Sequence, residues 1–170
     1  MIDKELIENA IAEALKTGGD FAEIFVEDKR SSSAYFDDGK VEELTSGRDR
    51  GAGIRVVVGE TTGFAHTADL STQGLLEAAR SAAAAARSNG GAGSANKLTA
   101  SSAPSPNPVL VLPETVEKIK KVELLKRADE VARSQSKSIT QVSARYGDSR
   151  RRILVANSDG VYASDDQVRT

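Results

Sequence analysis

The chain has 170 residues, of which 39% are hydrophobic and 28% charged, and Lys+Arg 23 against Asp+Glu 25 leaves a net charge of −2. This composition suits a folded, water-soluble domain and lacks the basic excess that drives binding to phosphate backbones. There is no Cys and a single His, His66, which excludes disulfides, thiolate nucleophiles, and zinc sites built within the chain from thiolates or paired histidines.

Helical spacing of Leu6, Ile7, Ala10, Ile11, Ala14 and Leu15 predicts a first helix over Asp3–Lys16. Asp3 suits the N-cap and Gly18 the left-handed position beyond the end. Alternating patterns then predict strands over Phe21–Asp28, with Ile24 and Val26 on one face, and over Ser31–Phe36. Asp38-Gly39 is a type I′ turn signal that returns the chain as Lys40–Thr45. Gly53–Val58 and Thr61–Thr67 follow around Gly59-Glu60, so up to five strands make an antiparallel meander.

Ser71 is a candidate N-cap for a second helix over Thr72–Arg87, whose buried side is Leu75, Leu76, Ala79, Ala82, Ala83 and Ala86. Asn89–Pro113 holds Gly90, Gly91, Gly93 and all four prolines, a composition expected of a flexible surface connection. A third helix is predicted over Glu114–Ser134 with Val116, Ile119, Val122, Leu125, Ala128 and Ala132 on one face, and Pro113 at its start. Strands are expected at Ser138–Tyr146 and Arg150–Ala156 with a turn at Gly147-Asp148. Asn157-Ser-Asp-Gly160 then turns the chain into a last strand beginning at Val161. The fold class expected is α+β: a largely antiparallel sheet of hairpins with about three amphipathic helices packed on it. A final hairpin without a closing element suggests a piece of a longer protein.

Each chemical motif has a structural explanation. Gly51-Ala-Gly53 lacks the third small residue and the following helix of a dinucleotide fingerprint, and reads as glycines that let a strand pass close to a neighbour. Gly90-Gly-Ala-Gly93 is not followed by the Lys of a phosphate-binding loop and reads as linker. His66, with Asp69 as its nearest acid, could serve as a base or a lone metal ligand, but its surroundings read as a strand end followed by a helix cap. Asp37-Asp38 and Asp165-Asp166 are neighbours on strands or turns, so neither pair converges unaided. Arg48, Arg50 and Arg55, and the run Arg150-Arg-Arg152, read as solvated edges that discourage pairing. The residues present thus nominate no catalytic, cofactor-binding or metal-binding site.

Three blocks resemble the N-terminal part of the TldD/PmbA family. They are Arg50-Gly-Ala-Gly-Ile-Arg-Val-Val-Val-Gly-Glu-Thr-Thr-Gly-Phe-Ala-His-Thr-Ala-Asp-Leu-Ser71, Lys121-Val-Glu-Leu-Leu-Lys-Arg-Ala-Asp-Glu-Val-Ala-Arg133, and Arg152-Ile-Leu-Val-Ala-Asn-Ser-Asp-Gly-Val-Tyr162. The Glu60-Thr-Thr-Gly-Phe-Ala65 stretch is closer to the TldD branch than to the PmbA branch. The resemblance implies that residues 1–170 form a single N-terminal domain, with a catalytic C-terminal domain absent from this chain. The expected parent is a zinc metallopeptidase hydrolysing peptides or unfolded polypeptides. Its metal would sit on an H-E-x-x-x-H helix beyond residue 170, and no zinc ligand transfers to this chain.

The resemblance further implies a PmbA/TldE-type partner subunit, or self-pairing as a dimer, around a hollow substrate chamber, and a link to peptide-antibiotic maturation, antitoxin degradation and modulation of DNA gyrase. The alternative is a non-enzymatic PmbA-type partner or a regulator of another protein such as gyrase. No direct nucleic-acid contact is expected. No membrane contact is expected either, since no apolar run approaches the ~20 residues of a span, and a cytoplasmic location follows from the charged N-terminus, which lacks a signal-peptide core.

Overall fold

The structure is a computed structural model that describes residues 2–86, 93–101 and 109–170. Three helices, α1 (Lys4–Leu15), α2 (Thr72–Ala85) and α3 (Lys118–Gln135), accompany six strands: β1 (Phe21–Asp37), β2 (Lys40–Val58), β3 (Thr61–Thr67), β4 (Thr99–Ser101), β5 (Ser143–Asn157) and β6 (Val161–Arg169). The strands form one sheet in the order β3-β2-β1-β5-β6-β4. It is mostly antiparallel, so the α+β class expected from the sequence is observed. The exception is the parallel pair β4–β6, where Thr99–Ser101 runs beside Val161–Ala163.

The chain divides into two compact units. One comprises Met1–Asp28, Arg50–Ser105 and Arg152–Asp166, the other Lys29–Asp49, Pro106–Arg151 and Gln167–Thr170.

In the first unit the period-2 pattern is read out directly. Ala22, Ile24 and Val26 of β1, Ala52, Ile54 and Val56 of β2, and Leu154 and Ala156 of β5 are buried on one sheet face. Alpha-helical spacing supplies the cover: Ile7, Ala10, Ile11 and Leu15 of α1, and Leu75, Ala79, Ala82 and Ala83 of α2, join the same core. Asp3 caps α1 by accepting from the Glu5 N–H, and Ser71 caps α2 by accepting from the Gly74 N–H. The Ala-rich face of α2 allows its backbone to lie directly on β3. A Cβ built on Gly63 would collide with the backbone of Ala82 and Ala86, so only glycine fits that strand position. Gly53 plays a milder version of the same part, since a Cβ there would meet the Phe64 ring at 3.0 Å. The close strand neighbour expected at Gly51-x-Gly53 is therefore present.

In the second unit the β1–β2 hairpin turns at Asp38 (φ 44) and Gly39 (φ 83), the left-handed pair of a type I′ turn. Asp38 N–H donates to the Val142 carbonyl and Ser32 lies opposite Asp148, which makes β1 and β5 antiparallel. Helix α3 rests Leu125 on Ala34 and Phe36, with Ala144 and Tyr146 at the margin.

Four expectations need correction. The separate strands at 21–28 and 31–36 are one strand, as are 40–45 and 53–58. The polar residues between them keep their ladder partners, and Ser33 Oγ and Thr45 Oγ1 meet across β1 and β2 at 2.6 Å. Gly147-Asp148 is not a turn but lies inside β5, which begins at Ser143 rather than Ser138. The third helix starts at Lys118, after a single 3-10 turn at Pro113–Thr115, and Ile119 is 55% exposed while Lys121 and Asp129 are buried. Finally, the Asn89–Pro113 connection contributes β4, buries Leu98, and bonds the Gly93 N–H to the Leu15 carbonyl. The rest of the Gly90–Gly93 linker motif and the prolines 104, 106 and 108 lie outside the described residues.

Candidate functional site

A cleft of about 500 Å³ lies within the second unit and is lined by residues of β1, β2, β5 and α3. Strand periodicity assembles it. Arg30 and Ser32 on β1, Ser46 and Arg48 on β2, and Asp148 and Arg150 on β5 stand at alternating positions, so each pair shares a sheet face. Helix α3 contributes Lys118 and Lys121, three positions apart and therefore adjacent on its surface. The segment leading into α3 adds Pro113, Glu114 and Val116.

At the floor is an ion pair withdrawn from water. Lys121 Nζ lies 2.5 Å from Asp148 Oδ2, and the two side chains are 6% and 5% exposed. Ser32 completes a triangle: its hydroxyl accepts from Lys121 at 2.9 Å and donates to Asp148 Oδ1 at 2.9 Å. The ring of Tyr146 lies 5.6 Å from the ammonium. Burial, aided by a hydrogen bond to the Asp148 carboxylate, pushes the Tyr146 hydroxyl above its ordinary pKa. Among the described residues no buried side-chain nitrogen or oxygen lacks a partner.

A serine beside a lysine invites comparison with a nucleophile and its base. Here the ammonium donates to Ser32 and Asp148, and the Ser32 hydrogen is committed to the carboxylate. The lysine nitrogen, donating to both neighbours, offers no lone pair to the serine proton, so the triangle anchors the floor and lacks the lysine base of an activated nucleophile.

At the rim Arg150 Nη1 bonds Glu114 Oε1 at 2.6 Å and Lys118 Nζ donates to Ser46 Oγ at 3.1 Å. Burial alone would raise the Glu114 carboxyl. The Arg150 bond, its own backbone N–H and the nearby charges of Arg150 and Arg30 outweigh it and hold the carboxyl below its ordinary value. The lining thus counts five cationic side chains against two carboxylates, and both carboxylates already face a cation of the cleft.

The residues weighed from the sequence fall elsewhere or change meaning. His66 is exposed on β3 and stacks on Phe64 with ring centroids 6.3 Å apart. Asp69 accepts from the Ser71 N–H, which lowers its carboxyl, so the pair forms a helix entry as the sequence suggested. Asp37 holds Gln141 and Ser143, Asp38 pairs with Arg133 at 2.5 Å, and Asp165 caps the Asp166 N–H. None of these carboxylates converges with another.

The arginines expected at solvated edges are instead ion-paired in part. Arg55 meets Glu23 at 3.0 Å, Arg152 meets Asp28 at 2.6 Å, and Arg150 meets Glu114. Arg30, Ser32, Ser46, Lys118 and Lys121 were not singled out from the sequence, and Asp148 was read only as part of a turn. A basic residue next to Val122 and four before Leu125 on a helical face, and an acid at a core-facing strand position, were the available signals.

Among the described residues no group of three or more His, Cys, Asp or Glu side chains could hold a metal ion. The donor set of the described residues therefore does not fit a zinc ion.

Comparison with known proteins agrees with the fold. Residues 22–86 match the family model of PmbA/TldA metallopeptidase domain 1, and residues 112–170 that of the PmbA/TldA metallopeptidase central domain. The metalloprotease TldD homolog of Haemophilus influenzae is 30% identical over 151 residues, and that of Buchnera aphidicola (Acyrthosiphon pisum) 27% identical over 149. Each alignment covers 86% of this chain and 30% of the relative, so the chain spans less than a third of the length of these curated relatives. Among solved structures, TldE from Thermococcus kodakarensis superposes with a TM-score of 0.73 at 21% identity, over 96% of this chain and 37% of that one. A Thermotoga maritima protein whose name describes modulation of a DNA gyrase gives 0.72 at 18% identity, over 97% and 37%. At those identities the structural likeness is one of fold, while the two family models account for most of the sequence. The chain belongs to the PmbA/TldD metallopeptidase family.

Proposed function

We propose that the chain is the N-terminal part of a TldD-like zinc metallopeptidase and that it serves binding and assembly, with hydrolysis carried by residues outside these 170. One geometric observation carries the binding role. Strand β3 pairs with β2 only over Ala52–Val58, and Lys40–Arg50 of β2 is exposed throughout. Among the described residues no other strand lies on that side of β2. An uncovered ladder of backbone N–H and C=O groups can accept an extended polypeptide whatever its sequence, which suits a protein acting on unfolded segments.

The same reading gives the parent a PmbA/TldE-type partner or a second copy of itself, a cytoplasmic setting and a zinc ion held elsewhere. Among the described residues no helix is long and apolar enough to cross a membrane. A bound zinc would supply an activated water and polarise the scissile carbonyl.

The likeness of fold to TldE favours a second reading, in which the parent is the non-catalytic partner subunit or a regulator. The two part at one experiment. The full-length parent, mixed with its partner subunit, is offered an unfolded polypeptide with and without chelator. Chelator-sensitive cleavage by the parent, absent from the 170-residue chain alone, is expected. A parent that lacks an H-E-x-x-x-H helix and leaves the polypeptide intact would establish the second reading.

A further inference from the structure

The cleft of the second unit has a chemistry of its own. Its lining carries Arg30, Arg48, Lys118, Lys121 and Arg150 against Glu114 and Asp148, in a chain whose net charge is −2. Concentrating cations in a concave surface focuses an attractive field for anions there. Ser31 and Ser46 add hydroxyls to the wall. The arrangement is also braced from below. The Lys121–Asp148–Ser32 triangle fixes β1, β5 and α3 to one another inside the unit, so the rim cations are held by a floor that does not need the ligand to form.

We propose that this cleft binds the carboxylate of an acidic residue within an extended polypeptide. The proposal rests on the reading of the chain as part of a polypeptide-processing protein. One observation favours an anion carried on a peptide over a free anion. Ser46, Gly47 and Arg48 line the cleft and belong to the stretch of β2 on whose outer side, among the described residues, no strand lies. A chain bonded along Lys40–Arg50 therefore passes the cleft mouth, and one of its alternate side chains can enter. The volume of about 500 Å³ is that of a small-ligand pocket and accommodates one side chain with its flanking peptide.

The test is a fluorescence-anisotropy titration of the full 170-residue chain. The probes are a labelled Gly/Ser peptide carrying glutamates, its glutamine counterpart, a labelled single-stranded oligonucleotide, and inorganic phosphate as competitor. The glutamate peptide is expected to bind about tenfold more tightly than the glutamine peptide, and to weaken as salt is raised. The double variant Arg30→Glu/Lys118→Glu is expected to lose about tenfold in affinity for the glutamate peptide. Both positions are exposed, and an unchanged circular dichroism spectrum verifies the fold. Lys126→Glu/Lys137→Glu makes the same change of net charge at exposed positions outside the cleft and is expected to leave binding near the parent level.

Equal binding of both peptides, or no binding, would overturn the proposal. So would displacement of the peptide by phosphate at matching concentration, preference for the oligonucleotide, or an equal loss in the Lys126/Lys137 control. Because nothing is hydrolysed in these titrations, a parent without peptidase activity leaves their outcome standing, and a failed titration leaves the peptidase reading to its own experiment.

Discussion

The two units bury different things. In the first, Ile7, Ile24, Ile54, Leu75 and Leu154 are all at most 1% exposed and meet in a single apolar cluster, with Asp28 and Ser158 as its buried polar members. In the second, the buried apolar set among the described residues is Ala34, Phe36, Pro113, Val122 and Leu125, and Lys121, Asp129 and Asp148 share the interior with it. The apolar cluster gains from removing hydrocarbon from water and tolerates modest change. A buried ion pair gains little over a hydrophobic replacement, yet costs several kcal/mol when one partner is lost, because the other charge is stranded. The second unit is therefore held by fewer contacts and is the more sensitive to a single charge.

This contrast can be broken at several points, in falling order of effect. Asp148→Ala leaves the Lys121 ammonium buried without its carboxylate and is expected to destabilise by about 4 kcal/mol in urea unfolding. In the first unit Leu75→Ala, at a fully buried position, is expected to cost about 3 kcal/mol by the same measurement. Gly63→Ala forces a methyl into the backbone of α2 and is expected to cost about 2 kcal/mol, with a loss of helical signal. Ser71→Ala removes the cap on the Gly74 N–H and should cost about 1 kcal/mol.

The smallest effect depends on pH. The hydrogen bond from Arg80, joined by Lys16, outweighs the opposing effect of burial and holds Glu13 below its ordinary pKa of 4.5. A carboxyl depressed in the folded state stabilises the fold above its unfolded pKa, and that contribution is lost as pH falls through the folded value. The stability difference between the parent and Glu13→Gln should therefore shrink as pH drops below 4.5, which denaturation midpoints across that range would record.

The same contrast explains what the sequence disclosed. The first unit announces itself, since Ile54, Val56 and the α1 stripe repeat at the periods of strand and helix and both N-caps stand where side-chain chemistry puts them. The second unit hides. Residues 29–30 and 46–49 are polar on both faces, so no periodicity marks them as strand, and only the ladder to a partner keeps them extended. Gly147-Asp148 has the composition of a turn, yet Asp148 is the buried half of an ion pair whose other half is 27 residues away on α3.

The cleft was legible only in fragments for a related reason. Arg48 and Arg150 were noticed as basic residues, but Ser32 and Asp148 are 116 positions apart and meet only through the pairing of β1 with β5. A helix stripe drawn from apolar residues alone placed Ile119 inside and overlooked Lys121, whose long stem reaches the interior while its charge finds Asp148.

The most direct test of this account is a double-mutant cycle on that pair, with stabilities from urea unfolding of the parent, Lys121→Met, Asp148→Leu and the double variant. The account predicts that each single change costs several kcal/mol and that the double variant, which removes both charges together, recovers much of the loss, giving a coupling of about 2 kcal/mol or more. Additive costs, with a double variant as destabilised as the sum of the two singles, would contradict it.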